Sequence, residues 1–402
     1  MKWWPRRRRP VVFLHIGAMK TGTTYLQSLL ESNRAALGEA GFLLPGTPRE
    51  LTLGVRDILR LTRNDPALEA RASGVWSAQV AKMRDWRGPA SIYSMEFLAS
   101  ADETEAARVI DSLQGLDVHV ILTVRDALSA IPAEWQRWSR NRGTMGWPDY
   151  VEQLREGRSG SATRVFTKTQ DVVRMVRTWA PLVPAGRFHV LVVQNPSAPR
   201  ELLWERFAGI VGVDPAVADT SLVRPNPSLG FGASDLLRRI NPVQHGTHHL
   251  AYKRVERHAA REVFWPHREH EPKHRLDAAT AEFALDWNRT VREALQADGV
   301  RVVGDLADLP TEADPQRFDP GDRPVDVDPA VVGACARLMV EGYEARAAEA
   351  GRPLPPRDSD ERAAALTRGR PVQVDGLPAD VAADVRLAAA TMRLMVEQEP
   401  TT

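Results

Sequence analysis

VVFLHIGAMKTGTTYLQ, residues 11–27, runs from a short, partly β-branched apolar segment (11–16) to a break at Gly17, through Ala18-Met19-Lys20-Thr21-Gly22-Thr23-Thr24, and into a helical pattern. That order reads strand, loop, helix. A loop so placed leaves the first amides of the helix without acceptors, and with the positive end of the helix dipole they form a ready anion site. Gly17 and Gly22 let the backbone close around the anion. Lys20 adds a point charge, and Thr23 and Thr24 add hydroxyl donors.

Outward from this stretch, strands and helices alternate. Apolar positions Leu26, Leu29, Leu30, Leu37 and Ala40 keep helical spacing until Gly41, which predicts one long helix behind the loop. Further strands are expected at 91–95, 118–124 and 188–193. The run VHVILTV at 118–124 is of the kind buried on both faces. Helices are expected at 102–113, 129–140, 148–156, 170–179 and 199–211, and around Trp287 at 277–297. The pattern argues an α/β fold, a parallel sheet with helices on both faces, whose ligands sit beyond the carboxyl ends of the strands. Lys20, Glu96 and Arg125 each follow an expected strand, so they should converge on one crevice. Prolines at 310, 315, 320, 324 and 329 among many acids read as a linker. The expected organisation is a basic tail at 1–10, an α/β domain at 11–309, a linker at 310–328 and a C-terminal helical appendage at 329–402.

Composition narrows the class. The 402 residues are 43% hydrophobic, enough for a real core, and the formal net charge of +1 gives no global call for nucleic acid. A single cysteine, Cys335, offers no intrachain disulfide and fits a reducing, cytoplasmic setting. No apolar run approaches the ~20 residues of a membrane-spanning helix. The N-terminus MKWWPRRRRP has signal-like charge, but cleavage after the next apolar run would destroy the loop. Its tryptophans and Arg6–Arg9 could touch an anionic surface, although a solvated terminus is the ordinary reading.

In the usual nucleotide-kinase loop, lysine follows the last glycine and precedes Ser or Thr; here Lys20 stands two residues before Gly22. HIGAMKTGTTYLQ resembles instead the 5′-phosphosulfate loop of the sulfotransferase family, a P-loop-like α/β fold whose donor is 3′-phosphoadenosine 5′-phosphosulfate. The resemblance implies that Gly17, Thr21, Gly22, Thr23 and Thr24 hold the donor's 5′-phosphate and that Lys20 neutralises the leaving group, with no metal required. An arginine after the buried strand, followed eight residues later by a serine, binds the family's 3′-phosphate. Here these positions are Arg125 and Ala133, with Ser129 one turn earlier as a substitute or simply as a helix cap. Glu96, in SIYSMEFLAS, stands about where the carbohydrate-modifying branch has its glutamate base; it could instead cap a helix or pair with Arg125. The family's late basic loop has no clear copy, and Arg224 in RPNPSLG is the nearest candidate.

The acceptor implied is a small molecule, glycolipid or carbohydrate carrying a hydroxyl or amine. Two rivals remain: an ATP- and magnesium-dependent small-molecule kinase, and a non-catalytic nucleotide-binding protein of the same fold. His15, inside the first strand, reads as a satisfied buried histidine rather than the base. Seven histidines fall in 245–274, including His267 and His270 at metal-ligand spacing, but without cysteines they read as a basic cover. Trp135, Trp138 and Trp147 read as core.

Overall fold

The computed structural model describes residues 9–62, 65–223, 229–271, 275–297, 300–312, 318–319, 321 and 324–400. Its strands are β1 (Val11–His15), β2 (Phe42–Leu43), β3 (Ala90–Ser94), β4 (Asp117–Val124), β5 (Phe188–Val192), β6 (Leu276–Asp277), β7 (Arg301–Val303) and β8 (Phe318–Asp319). Contacts divide the chain into two compact units, each made of three segments. The first comprises the described parts of Met1–Ala130, Arg164–Asn226 and Ala284–Ala313; the second those of Ile131–Thr163, Pro227–Phe283 and Asp314–Thr402.

The first unit holds a six-stranded sheet in the order β2-β3-β1-β4-β5-β7. All its pairings are parallel, with Leu14 beside Tyr93 on one side and Val120 on the other. β1 is therefore flanked by β3 and β4, and the chain turns from one side of the sheet to the other there, the place beyond whose carboxyl end open α/β sheets bind ligands. Strand alternation fills two layers. Val12, Leu14, Ile16, Val120 and Leu122 pack with Trp76, Val109, Met175 and Trp179 in one; Phe13, Ile92, Ile121 and Leu191 pack with Leu26, Leu29, Trp204 and Phe207 in the other. Burial on both faces is why β4 is an almost unbroken apolar run.

Several boundaries differ from expectation for local reasons. The helix behind the loop is Thr23–Ser32, followed by a separate Arg34–Glu39, not one run to Gly41. Asn33 divides them, its amide nitrogen donating to Leu29 O (2.9 Å) and its oxygen accepting from Asp219 N (2.8 Å). Likewise Asp171 caps Val172–Trp179 by accepting from Arg174 N, separating it from Ser161–Gln170. The helix expected from residue 129 begins at Ala127. The edge strands β2 and β7, of two and three residues, carry too little pattern to read from sequence.

In the second unit the helix Phe231–Ile240 is buried at every residue. Asp235 makes this possible by accepting from Arg238 Nε (2.6 Å) and Arg239 Nε (2.5 Å), so the buried charges are paired. The helices Pro329–Glu349 and Ala379–Gln398, expected as an appendage, belong to this unit. No helix among the described residues is long and apolar enough to cross a membrane.

Leu14 is fully buried in a central strand. Leu14→Ala should cost about 3 kcal/mol of unfolding free energy. The same truncation at exposed Leu222 should cost less than about 0.5 kcal/mol, as read by urea titration.

Candidate functional site

The loop leaving β1 is built from left-handed turns. Gly17, Lys20 and Gly22 have φ of 72°, 62° and 81°; for the lysine this is a sparsely populated, strained conformation. Two backbone bonds to β4 set its path: Ile16 N donates to Ile121 O (2.9 Å) and Ala18 N to Thr123 O (2.8 Å). Two side chains pin its crest, as Gln170 Nε2 donates to Met19 O (2.8 Å) and Arg125 Nη1 to Lys20 O (3.3 Å).

Beneath it runs a buried polar chain whose hydrogens can be placed. The Thr21 hydroxyl donates to Ala18 O (2.6 Å), which can only accept. Thr123 must then donate its own proton to Thr21 Oγ1 (2.6 Å) and accept from His15 Nε2 (3.3 Å), leaving His15 Nδ1 to accept from Ser94 Oγ (2.7 Å). His15 is neutral, and burial pushes its pKa down to about 3. It is thus a structural strut across β3, β1 and β4. The Thr21 hydroxyl, counted from sequence among anion donors, is turned inward, so Thr21 can serve an anion only through its backbone.

Gly22 starts the helix Thr23–Ser32, with no side chain capping it. Tyr25 N returns to Gly22 O (2.9 Å), whereas the amides of Thr23 and Thr24 find no acceptor among the described residues. Thr23 is buried and Thr24 exposed. A Cβ on Gly22 would stand 2.5 Å from Leu203 Cδ2.

Glu96 and Arg125 reach this loop from either side. A Cβ on Gly17 would stand 2.8 Å from Glu96 Cβ, so the glycine is what lets the loop lie against the end of β3. The Glu96 carboxylate accepts from Gln27 Nε2 (2.6 Å) rather than pairing with Arg125. Arg125, half-buried, has its pKa lowered by burial, with Asp126 opposing the shift. Its fork donates from Nη1 to Lys20 O, and no other bond of its nitrogens occurs among the described residues. Asp126 caps the next helix, its carboxylate accepting from Leu128 N (2.8 Å) and its carbonyl from Ala130 N (3.0 Å). The cap is therefore Asp126, and Ser129 lies inside the first turn.

Lys20, Glu96 and Arg125 thus belong to one locus, with Gly17, Gly22, Thr23, Thr24 and Ser129 around it. Arg224 lies outside the described residues. Sequence reasoning missed Gln27, which stands one turn beyond Thr23 and was open to an i,i+4 argument. It also missed Gln170, brought in from far along the chain with no local signal. No group of three His, Cys, Asp or Glu able to hold a metal occurs among the described residues; His274 is outside them, as are the side chains of His270 and its neighbour. Compared with protein-family models, curated proteins and solved structures, the chain matches none.

The neutral histidines give a signed pH dependence. Burial pushes His189 down to about 4 and lowers His119, whose Nδ1 lies 3.0 Å from His189 Nε2. Between pH ~6.5 and the folded values the unfolded chain binds protons that the native state refuses, so stability falls as pH drops through that window. Urea midpoints measured from pH 7 to 4 should decline, and His189→Gln should reduce the slope by up to about 1.4 kcal/mol per pH unit.

Proposed function

We propose that this chain is a sulfotransferase that moves a sulfuryl group from 3′-phosphoadenosine 5′-phosphosulfate to a hydroxyl or amine of a small-molecule, glycolipid or carbohydrate acceptor. The observation that carries the reading is the meeting of three groups at the carboxyl ends of neighbouring strands: the uncapped Lys20 loop after β1, Glu96 after β3 and Arg125 after β4. A sheet with this loop at its switch point also supports the P-loop-like sulfotransferase fold.

In this mechanism the free amides of Thr23 and Thr24 and the helix dipole hold the donor's 5′-phosphate. The acceptor oxygen or nitrogen attacks sulfur in line while the bond between sulfur and the bridging oxygen breaks. Negative charge then grows on the departing phosphate, where Lys20 and the amides stabilise it. Glu96, oriented by Gln27, takes the acceptor's proton. Arg125 offers its unoccupied donors to the 3′-phosphate, a charge-assisted contact that a guanidinium fork suits. Ser129, one helix turn from Arg125, is placed to assist where the family serine is replaced by Ala133. A reducing, cytoplasmic setting with no resident metal completes the reading.

Titration calorimetry with 3′-phosphoadenosine 5′-phosphate, beside magnesium-ATP, tests it. Tight, magnesium-independent binding of the bisphosphate is expected, weakened at least about tenfold in Arg125→Ala, the loss of a charge-assisted contact. Lys20→Ala should weaken it too. Glu96→Ala should keep that affinity and lose turnover. A preference for magnesium-ATP would move the kinase ahead, and bisphosphate binding with no turnover on any acceptor would favour the non-catalytic reading.

A further inference from the structure

The proposed reaction leaves the body of the acceptor without a place, and a cavity within the first unit fits it. The cavity lies between the helices Thr23–Ser32 and Pro48–Ile58 and the carboxyl end of β3, a narrow space of about 350 Å³ counting its mouth. Leu30, Leu44, Leu51, Ile92 and Met95 line it, all buried. Glu31, Arg34 and Pro48, the more exposed walls, mark where it opens.

One wall leads directly to the proposed base. Gln27 lines the cavity and its Nε2 donates to Glu96 Oε2 (2.6 Å), so the carboxylate stands one hydrogen bond from the wall. Ser94 and Met95, the two residues before Glu96 in the chain, line it as well. A molecule that presents a hydroxyl or amine to Glu96 therefore has this space beside it.

The walls suit an apolar group. The Ser94 hydroxyl is committed to His15 Nδ1 (2.7 Å), and the Gln27 amide nitrogen to Glu96. At the mouth Arg34 Nη2 donates to Glu31 Oε2 (2.6 Å) and to Gly46 O (2.6 Å), while Nη1 donates to Leu44 O (2.9 Å). These bonds brace the mouth, and the charges of Arg34 and Glu31 offset one another. A sugar placed here would bury hydroxyls against leucine and isoleucine, a desolvation cost that an alkyl or aryl group does not meet. Apolar walls left open to water are, conversely, stabilised by such a cover.

We propose that this cavity binds the apolar body of the acceptor, which is a small alcohol or amine carrying an alkyl or single-ring aryl group and not a free sugar. The proposal rests on the sulfotransferase reading for the reaction and on the cavity alone for the binding.

Ligand-observed NMR titration of the full chain with straight-chain 1-alkanols tests it without turnover. Affinity should rise about fourfold per methylene from ethanol to pentanol, and glucose should not bind at the same concentrations. Leu51→Trp, which fills the cavity, should flatten the series while the thermal midpoint and the affinity for 3′-phosphoadenosine 5′-phosphate stay unchanged. Should that variant lose its midpoint, Leu44→Phe, on another wall, is read in the same way. With labelled donor, pentanol should be sulfated with a kcat/KM at least about tenfold that of glucose. Equal binding of glucose, a flat series in the native chain, or a series untouched by the filled cavity would overturn the site. Failure of the reaction reads differently. Bisphosphate binding with a flat alkanol series keeps the sulfotransferase and removes this acceptor class, whereas a rising series without bisphosphate binding keeps the apolar site and removes the sulfotransferase.

Discussion

Everything at the carboxyl edge of the sheet depends on a histidine kept without charge. His15 bridges Ser94 on β3 and Thr123 on β4, and through Thr123 it reaches Thr21 in the loop. The donor order that runs from Ser94 through His15 and Thr123 to Thr21 holds while His15 is neutral at Nδ1. Protonation would turn both its ends into donors, so Ser94 Oγ would have to accept from Nδ1 and its own proton would lose this acceptor. A buried polar chain of this kind is costly when partly satisfied and specifying when complete. It ties Thr21 to β4 beside the left-handed Lys20.

Charge is sorted on either side of that loop. Arg125 approaches the Lys20 carbonyl from the β4 side, and Glu96 is drawn to Gln27 on the β3 side, with Gly17 as the narrow place between. Had the two paired, each would have satisfied the other and neither would be available to a ligand. The structure instead gives the carboxylate a neutral amide partner and, among the described residues, the guanidinium one long hydrogen bond. Burial is unfavourable for the Arg125 charge, and the neighbouring Asp126 carboxylate offsets part of that cost. Asp126, its immediate neighbour in sequence, also caps the following helix, its carboxylate accepting from Leu128 N.

The parts of this arrangement that sequence revealed are those with local causes. VVFLH, ASIYS and DVHVILTV announce strands because burial on two faces demands continuous apolar runs, and Gly17 and Gly22 mark left-handed turns that few other residues tolerate. Lys20, Glu96 and Arg125 stand out in the sequence because each comes in the segment that leaves the carboxyl end of such a strand. What stayed hidden was set by distant partners. Asn33 splits a helix through Asp219, Gln170 holds the loop from 151 positions away, and the Thr21 hydroxyl is claimed by Thr123. The tail beyond residue 310 looked separable by composition because prolines and acids describe a segment's own stiffness, not what its flanking helices pack on.

The chain passes between its two units at 130/131, 163/164 and 283/284, and again between 223 and 229 and between 312 and 318. Neither unit is a contiguous length of gene, so no single proteolytic nick or truncation point yields one of them whole. The strand β7, which completes the sheet, is translated after two of the three segments of the second unit. On the ribosome the sheet must wait for it, and the partially made second unit is already outside the tunnel when β7 arrives. Fusion, permutation or domain exchange in this protein would have to respect an interleaved order rather than a boundary.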